Sequence, residues 1–284
     1  MIPQNFEYSS PTTLKAALAL LADGSAKVLA GGMSLIPLMK LRLAAPEHVV
    51  DMSRVPGLDT VRQAHDGIHI GAMATHYQIE SSTVLRAHCP LLAETASHIG
   101  DVQVRNMGTI GGSVAHCDPA ADYPAALFAL EAQVRLSSAR GERTLSFADF
   151  LVDTFTTALE PGEIVTEVIV PAESKGTGVS YQKLHQPASG FALVGAAVRI
   201  ARGNNGNGGI GFVRVGITGL ASKAYRATNV EGILHSTGDI GKAAAVVADG
   251  VEASSDLNAS ARYRSHLARV YTARALQQAL ARAS

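Results

Sequence analysis

Two pairs of adjacent glycines are placed for chemistry. Gly31 and Gly32 lie in Ala30-Gly31-Gly32-Met33-Ser34-Leu35. Gly111 and Gly112 lie in Thr109-Ile110-Gly111-Gly112-Ser113, which runs on to His116-Cys117-Asp118-Pro119. Glycine has no Cβ, so paired glycines at the end of a strand let backbone N–H groups approach an anion. A helix beginning just beyond them adds its own unsatisfied N–H groups and its dipole. Ser34, Thr109 and Ser113 bring hydroxyls to the same places. Neither segment contains the Gly-Lys-Ser/Thr of a P-loop, which argues against that class of nucleotide hydrolase. Either pair alone reads as a plain turn. Together they suit a pyrophosphate gripped from two sides, as in a dinucleotide. Asp118 is suited to accept from sugar hydroxyls or to cap the helix after it, and the two roles are compatible. His76 and His116 read as buried, satisfied side chains rather than catalytic ones.

The elements that must hold these residues follow from periodicity and punctuation. Ser10-Pro11 predicts a helix start, with apolar residues at Leu14, Ala17, Leu18 and Leu21 and a stop near Asp23-Gly24. A strand over 27–30, a turn at Gly31-Gly32, a helix over 34–43 and a strand over 48–51 make a compact unit with the glycines in its turn. Hairpins are expected about His65-Asp66-Gly67 and about Arg140-Gly141. Thr75 with Gln78 fits a capping box. Helices are expected over 85–98 and 120–130, and a strand over 163–170 closed by Pro171. The small, polar stretch 172–178 reads as a linker. Three strands over 179–184, 191–201 and 210–220 then precede helices over 225–235, 240–251 and 262–283, the order of a small α+β domain. Gly206 to Gly211 spells G-x-G-x-x-G, but a dinucleotide fingerprint must open a helix. The residues that follow alternate like a strand, so 204–208 reads as a hairpin turn. Arg262, Arg264, Arg269 and Arg274 recur at helical spacings and read as a solvated face rather than a docking surface.

Composition excludes several classes. The 284 residues carry 24 basic and 24 acidic side chains, so no general attraction to nucleic acid or membrane is expected. The N-terminus has no secretory signal, and apolar runs such as 191–198 are too short to cross a bilayer, so a cytoplasmic location is expected. Two cysteines, Cys89 and Cys117, are too few for an iron–sulfur cluster or a zinc site held by four thiolates. They read as reduced thiols. No tryptophan is present and aromatic residues make up 5%, which argues against a stacking surface for bases.

The stretches AGGMSLIPLMKLRL from position 30 and TIGGSVAHCDPAADYP from position 109 resemble the FAD-binding subunits of molybdenum hydroxylases. The likeness is to medium subunits of carbon monoxide dehydrogenase-like enzymes, and the xanthine dehydrogenase family carries a related domain. It extends over essentially the whole chain. It implies an α+β protein: a p-cresol methylhydroxylase-type FAD-binding domain over 1–174, in two α+β parts of about 1–56 and 57–174. A C-terminal CO dehydrogenase flavoprotein-like domain over 177–284 would follow, with a three-stranded antiparallel sheet plus helices. By the same resemblance, Ala30, Gly31, Gly32, Met33, Ser34 and Leu35 would line one side of the FAD diphosphate. Thr109, Ile110, Gly111 and Gly112 would line the other, with Ser113 and Asp118 on nearby phosphate or sugar oxygens. Lys183 and Phe191 match the segment that approaches the isoalloxazine ring, where a lysine would stabilise negative charge on a reduced ring. From the residues alone, Lys183 reads equally as an exposed strand-end lysine, and Phe191 as plain packing.

Two departures from the family pattern are visible. Met33 stands where relatives often carry a polar residue, and Cys117 replaces a common alanine. The resemblance implies FAD held non-covalently, with the molybdenum cofactor and [2Fe-2S] clusters confined to partner subunits. A small iron–sulfur subunit and a large molybdenum subunit would complete a heterotrimer, paired as a dimer of heterotrimers. The chain would pass electrons from the iron–sulfur subunit to an external acceptor, and it needs no general base of its own. The alternatives are a self-sufficient flavin oxidoreductase on the same fold and a non-catalytic subunit that keeps the fold. A valine at position 32 or 111 is expected to expel FAD by filling the place of the diphosphate.

Overall fold

A computed structural model describes residues 2–22, 24–203 and 209–284. The chain opens with β1 (Glu7–Ser9), α1 (Leu14–Leu21), β2 (Ala26–Leu29), α2 (Leu35–Lys40) and β3 (His48–Asp51). The strands form a parallel sheet in the order β1-β3-β2. Helix α1 buries Ala17, Leu18 and Leu21 against Val50 and Met52. Its cap is Thr13, whose Oγ1 accepts from Ala16 N–H at 3.2 Å, not Ser10 as expected. Thr13 stands directly before the apolar stripe and supplies the same oxygen, so Pro11 stays outside the helix. Of the expected stop, Asp23 lies outside the described residues, and Gly24 takes φ +76°.

A second layer follows: β4 (Val61–Ala64), β5 (Gly67–Gly71), α3 (His76–Ser81), α4 (Thr83–His88), α5 (Pro90–Ser97), α6 (Val102–Met107), α7 (Ile110–His116) and α8 (Tyr123–Ala129). It is completed by β6 (Gln133–Ser138), β7 (Gly141–Ser146), α9 (Phe147–Phe150), β8 (Leu151–Asp153), β9 (Thr156–Thr157) and β10 (Ile164–Val170). Strands β4-β5-β10-β6-β7 form an antiparallel sheet with both expected hairpins. The helices cover one face, over Ile68, Ile70, Leu91, Leu92, Tyr123, Leu127 and Leu136. The single helix expected over 85–98 is two helices. Pro90 has no N–H and disfavours a helical residue before it, so Cys89 turns to φ −150°, ψ 60° and α5 restarts with proline in its first turn. Cys89 is fully buried at that break, and burial pushes its thiol up to about 12. Cys117 ends α7 in the left-handed region at φ +55°. Its Sγ–H points at the carbonyls of Asp153 (3.5 Å) and Thr156 (3.6 Å), and burial raises its thiol as well.

The final layer is β11 (Gly178–His185), β12 (Ala192–Arg202), β13 (Ile210–Thr218), β14 (Tyr225–Arg226), α10 (Thr228–Thr237), α11 (Ile240–Ala245) and α12 (Ala261–Arg282). The three expected strands form an antiparallel meander, and the two-residue β14 adds to its edge. One face packs under α12 through Val198, Ile200, Leu267 and Leu276. The other face meets α8 so closely that a Cβ on Gly216 would overlap the Ala125 carbonyl. The turn expected over 204–208 lies outside the described residues, and Ile210 opens a strand rather than a helix. The stretch 172–178 is no loose linker. Glu173 pairs with Arg199 at 2.6 and 2.9 Å, and its N–H donates to His88 O at 2.7 Å. Arg264 departs from the expected solvated face. It shares the buried side of α12 with Leu267 and Ala268, and its guanidinium donates to Leu193 O (2.6 Å), Gly219 O (2.8 Å) and Asp256 (2.7 Å). Arg262, Arg269 and Arg274 are exposed.

Candidate cofactor site

The first glycine pair leaves the end of β2 and enters α2. Gly32 sits at φ +73°, a conformation that costs other residues energy. Gly31 packs flat against α6, and a Cβ there would overlap the Met107 carbonyl oxygen. Among the described residues, the N–H groups of Gly31, Gly32, Met33 and Ser34 make no hydrogen bond. Ser34 occupies the N-cap of α2, yet its hydroxyl makes no cap bond. Leu35 opens the helix. Four consecutive free donors and a free hydroxyl at a helix start form an anion cradle.

The second pair is built differently. It is not a turn after a strand but the first turn of α7, because Thr109 caps that helix and accepts from Gly112 N–H at 3.1 Å. Ile110 N–H donates to Ala74 O (3.0 Å) and Gly111 N–H to Ala72 O (2.9 Å), so these amides are not bare. A Cβ on Gly111 would overlap Ala72, which places that glycine against the fold rather than against a ligand. Gly112 faces the first motif. A Cβ there would lie 2.9 Å from Thr109 Oγ1 and 3.5 Å from Ala30 Cβ, with no other atom within 4 Å beyond its own helix backbone and chain neighbours. The two motifs therefore meet across Ala30 and Gly112. Beside them opens a cavity of about 510 Å3, lined by Ala30, Gly31, Thr109, Asn106, Met107 and Arg54 among others.

The remaining expected residues fall elsewhere. Ser113 lies half-buried on α7. Asp118 does not cap α8, which starts at Tyr123 instead of Ala120; its Oδ1 accepts from Ala120 N–H at 2.8 Å in the turn before. Lys183 and Phe191 do not line the cavity; they flank the hairpin between β11 and β12. Lys183 is not the exposed strand-end lysine of one reading. Its side chain is 3% exposed, with Nζ 2.9 Å from Asp122 Oδ1 and 2.8 Å from Gly190 O. Tyr181 donates to the same carboxylate at 2.5 Å. Burial pushes the Asp122 carboxyl above its ordinary range, against the opposing pull of Lys183. Phe191 is 42% exposed, so it is not core packing.

Matches to known families cover most of the chain. Residues 4–173 match the FAD binding domain in molybdopterin dehydrogenase, and residues 179–279 the CO dehydrogenase flavoprotein C-terminal domain. The chain belongs to the molybdopterin dehydrogenase FAD-binding family. The carbon monoxide dehydrogenase medium chain of Hydrogenophaga pseudoflava is 39% identical over 99% of both chains. The 6-hydroxypseudooxynicotine dehydrogenase complex subunit alpha of Paenarthrobacter nicotinovorans is 37% identical, over 100% of this chain and 97% of that one. The solved carbon monoxide dehydrogenase from H. pseudoflava, a form lacking the Mo-pyranopterin moiety of its molybdenum cofactor, superposes with a TM-score of 0.94 at 40% identity, covering 100% of both chains.

Within this family member, sequence reasoning missed Asp122, Tyr181 and Met107. Asp122 was detectable as an acid directly before the Tyr123-Pro124 start of α8. Nothing in sequence pairs Met107 with Gly31, because that contact is between backbones distant in the chain. His76 is buried as expected, with Nδ1 3.1 Å from the Tyr123 hydroxyl. His116 is only half-buried, its ring tilted against Phe155 at 5.1 Å between centroids. No described helix is long and apolar enough to cross a membrane.

Proposed function

We propose that the chain is the electron outlet of a cytoplasmic, three-subunit molybdenum hydroxylase. It would hold FAD non-covalently, take electrons from a small iron–sulfur subunit served by a large molybdenum subunit, and pass them to an external acceptor. The molybdenum cofactor and the [2Fe-2S] clusters would reside on those partners, and two heterotrimers would pair. Residues 1–174 would carry the cofactor site and 177–284 would close it. When bound, FAD supplies uptake of two electrons and their release singly or as a hydride.

The observation that carries this reading is the run of unbonded N–H groups from Gly31 to Ser34, set opposite Gly112 at the edge of the cavity. Those donors, with the Ser34 hydroxyl, fit a diphosphate, and their bonds would orient it without any motion of side chains. Ala30, Met33 and Leu35 frame that grip; Thr109 and Gly112 form the facing wall, held from behind by Ile110 and Gly111, whose N–H groups are tied to Ala74 O and Ala72 O. Ser113 on α7 and Asp118 in the turn beyond it continue towards the hairpin. There Lys183, tied to Asp122 and to the carbonyl of Gly190, would stand with Phe191 towards the isoalloxazine ring. The same tie removes water from the ammonium and holds its charge at a defined point.

The test begins with the purified chain. It should be yellow and inert with substrate until iron–sulfur and molybdenum partners are added, whereupon turnover appears. Turnover by the chain alone would sink the outlet role. A second experiment addresses the grip. Because Gly111 faces Ala72, a valine there would disturb the fold itself, so Gly112 is the informative position. A Cβ at Gly112 is crowded only by the Thr109 hydroxyl, at 2.9 Å, so Gly112→Val should displace that cap, keep the overall circular dichroism spectrum and remove nearly all bound flavin; a folded variant with full flavin content would contradict the site.

A further inference from the structure

Helix α6 differs from every other helix in its layer. None of its six side chains is buried, and Val102 and Met107 are 62% and 54% exposed. By contrast, α3 buries His76 and Ile79, α4 buries Leu85, and α7 buries Ile110 and Val114. Glycines stand at both ends. Gly100 has φ +48°, and Gly108 lies so near His76 that a Cβ would come within 2.5 Å of its Nε2. The ends of α6 also abut the two halves of the cofactor site. Met107 O sits in the space beside Gly31, and a Cβ on Gly190, at the tip of the C-terminal hairpin, would come within 3.1 Å of Gly100 Cα. Asn106 and Met107 wall the cavity.

At its C-terminal hinge, Gly108 O accepts from the backbone N–H of His76 (2.9 Å); between the hinges, the side chain that ties the helix to its neighbours is Arg105. Its Nε pairs with Glu80 at 2.9 Å, and its NH1 donates to Ile99 O (3.1 Å) and Gly100 O (3.3 Å). A segment with no buried apolar side chain opens at small free-energy cost, because opening exposes little that was dry. Glycine ends absorb the change in backbone angles. We propose that residues 100–108 form a strap that swings aside to admit and release the cofactor, with the Arg105–Glu80 pair as its latch. This rests on the FAD-site reading above. In the closed form the Met107 carbonyl shuts the side of the cradle at Gly31; in the open form the free N–H groups of Gly31 to Ser34 face solvent.

A latch and a plain contact differ in kinetics. Removing a contact speeds release alone, whereas removing a latch speeds binding and release together, because both pass through the open form. Arg105→Gln in the full chain, followed by flavin fluorescence after mixing with FAD, should show both rates about tenfold faster, the worth of a charged hydrogen bond. Glu80→Gln should do the same, and serves if the first variant folds poorly. Hydrogen exchange at 102–107 should be fast without FAD and slow with it. Faster release with unchanged binding, or α6 amides indifferent to FAD while 31–35 and 109–113 become protected, overturns the strap and leaves the site standing. Protection absent from those two loops overturns the site and the strap together.

Discussion

Replacing Lys183 with methionine should destabilise the protein by about 3–5 kcal/mol, the usual cost of leaving one member of a buried ion pair alone. Asp122 is 4% exposed and Lys183 3%, so water cannot reach the carboxylate to replace the lost ammonium. The Tyr181 hydroxyl stays as its one donor, and Gly190 O loses its partner. The defect should depend on pH in a defined direction. Burial already raises the Asp122 carboxyl, and Lys183 is the largest influence opposing that rise. Without the lysine the folded state binds the Asp122 proton more tightly than the unfolded state does. Stability then falls as pH rises from the ordinary carboxylate range near 4 towards neutrality. Urea unfolding at pH 5 and pH 7.5 should show the larger loss at pH 7.5. Adding Asp122→Asn should restore much of the stability at pH 7.5, since an amide needs no counter-ion. A loss below 1 kcal/mol, equal at both pH values, would mean that water reaches the pair.

The second large effect concerns His76. Burial, with the nearby charge of Arg105, holds its ring down to about 4, whereas an unfolded histidine titrates near 6.5. Between those values the unfolded chain binds the extra proton. Stability is therefore full above about pH 6.5 and falls as the pH drops, by about 3 kcal/mol at pH 4. The ring lies under Gly108, whose carbonyl accepts from His76 N–H at 2.9 Å, so the Thr109 cap should loosen over the same window. His76→Gln keeps a partner for the Tyr123 hydroxyl but cannot take up a proton. Its stability curve between pH 6.5 and 4 should be flatter by one proton than that of the unaltered chain. Superimposable pH profiles for the two would refute the assignment.

What could be read in the sequence was local. The hairpins at Asp66-Gly67 and Arg140-Gly141 formed as expected because a two-strand turn is decided by its own residues; both glycines take large positive φ. The Thr75–Gln78 capping box is present in both directions, again a matter of four residues. The broken helix at Cys89 was equally local, and Pro90 announces it. Gly111 and Gly112 show the limit of such reading. Two glycines look like a turn, but a threonine two residues before them and the close approach of the Ala72 backbone make them part of the first turn of a helix. The site was legible where one segment supplies all its donors, as at Gly31 to Ser34. It was not legible where partners are remote: Lys183 meets Asp122 across 61 residues, and Gly31 meets Met107 backbone to backbone. Contacts of that kind are set by how layers stack, which no short pattern encodes.

The burial of both cysteines has a chemical consequence. A reduced flavin that meets oxygen yields hydrogen peroxide, and the form of cysteine that peroxide attacks is the thiolate. Cys89 is sealed at the break between α4 and α5 with its thiol pushed up to about 12, and the Cys117 thiol is raised too, with its proton directed at two carbonyls. Neither sulfur ionises readily at neutral pH, so the chain keeps its own sulfhydryls out of the oxidant's path.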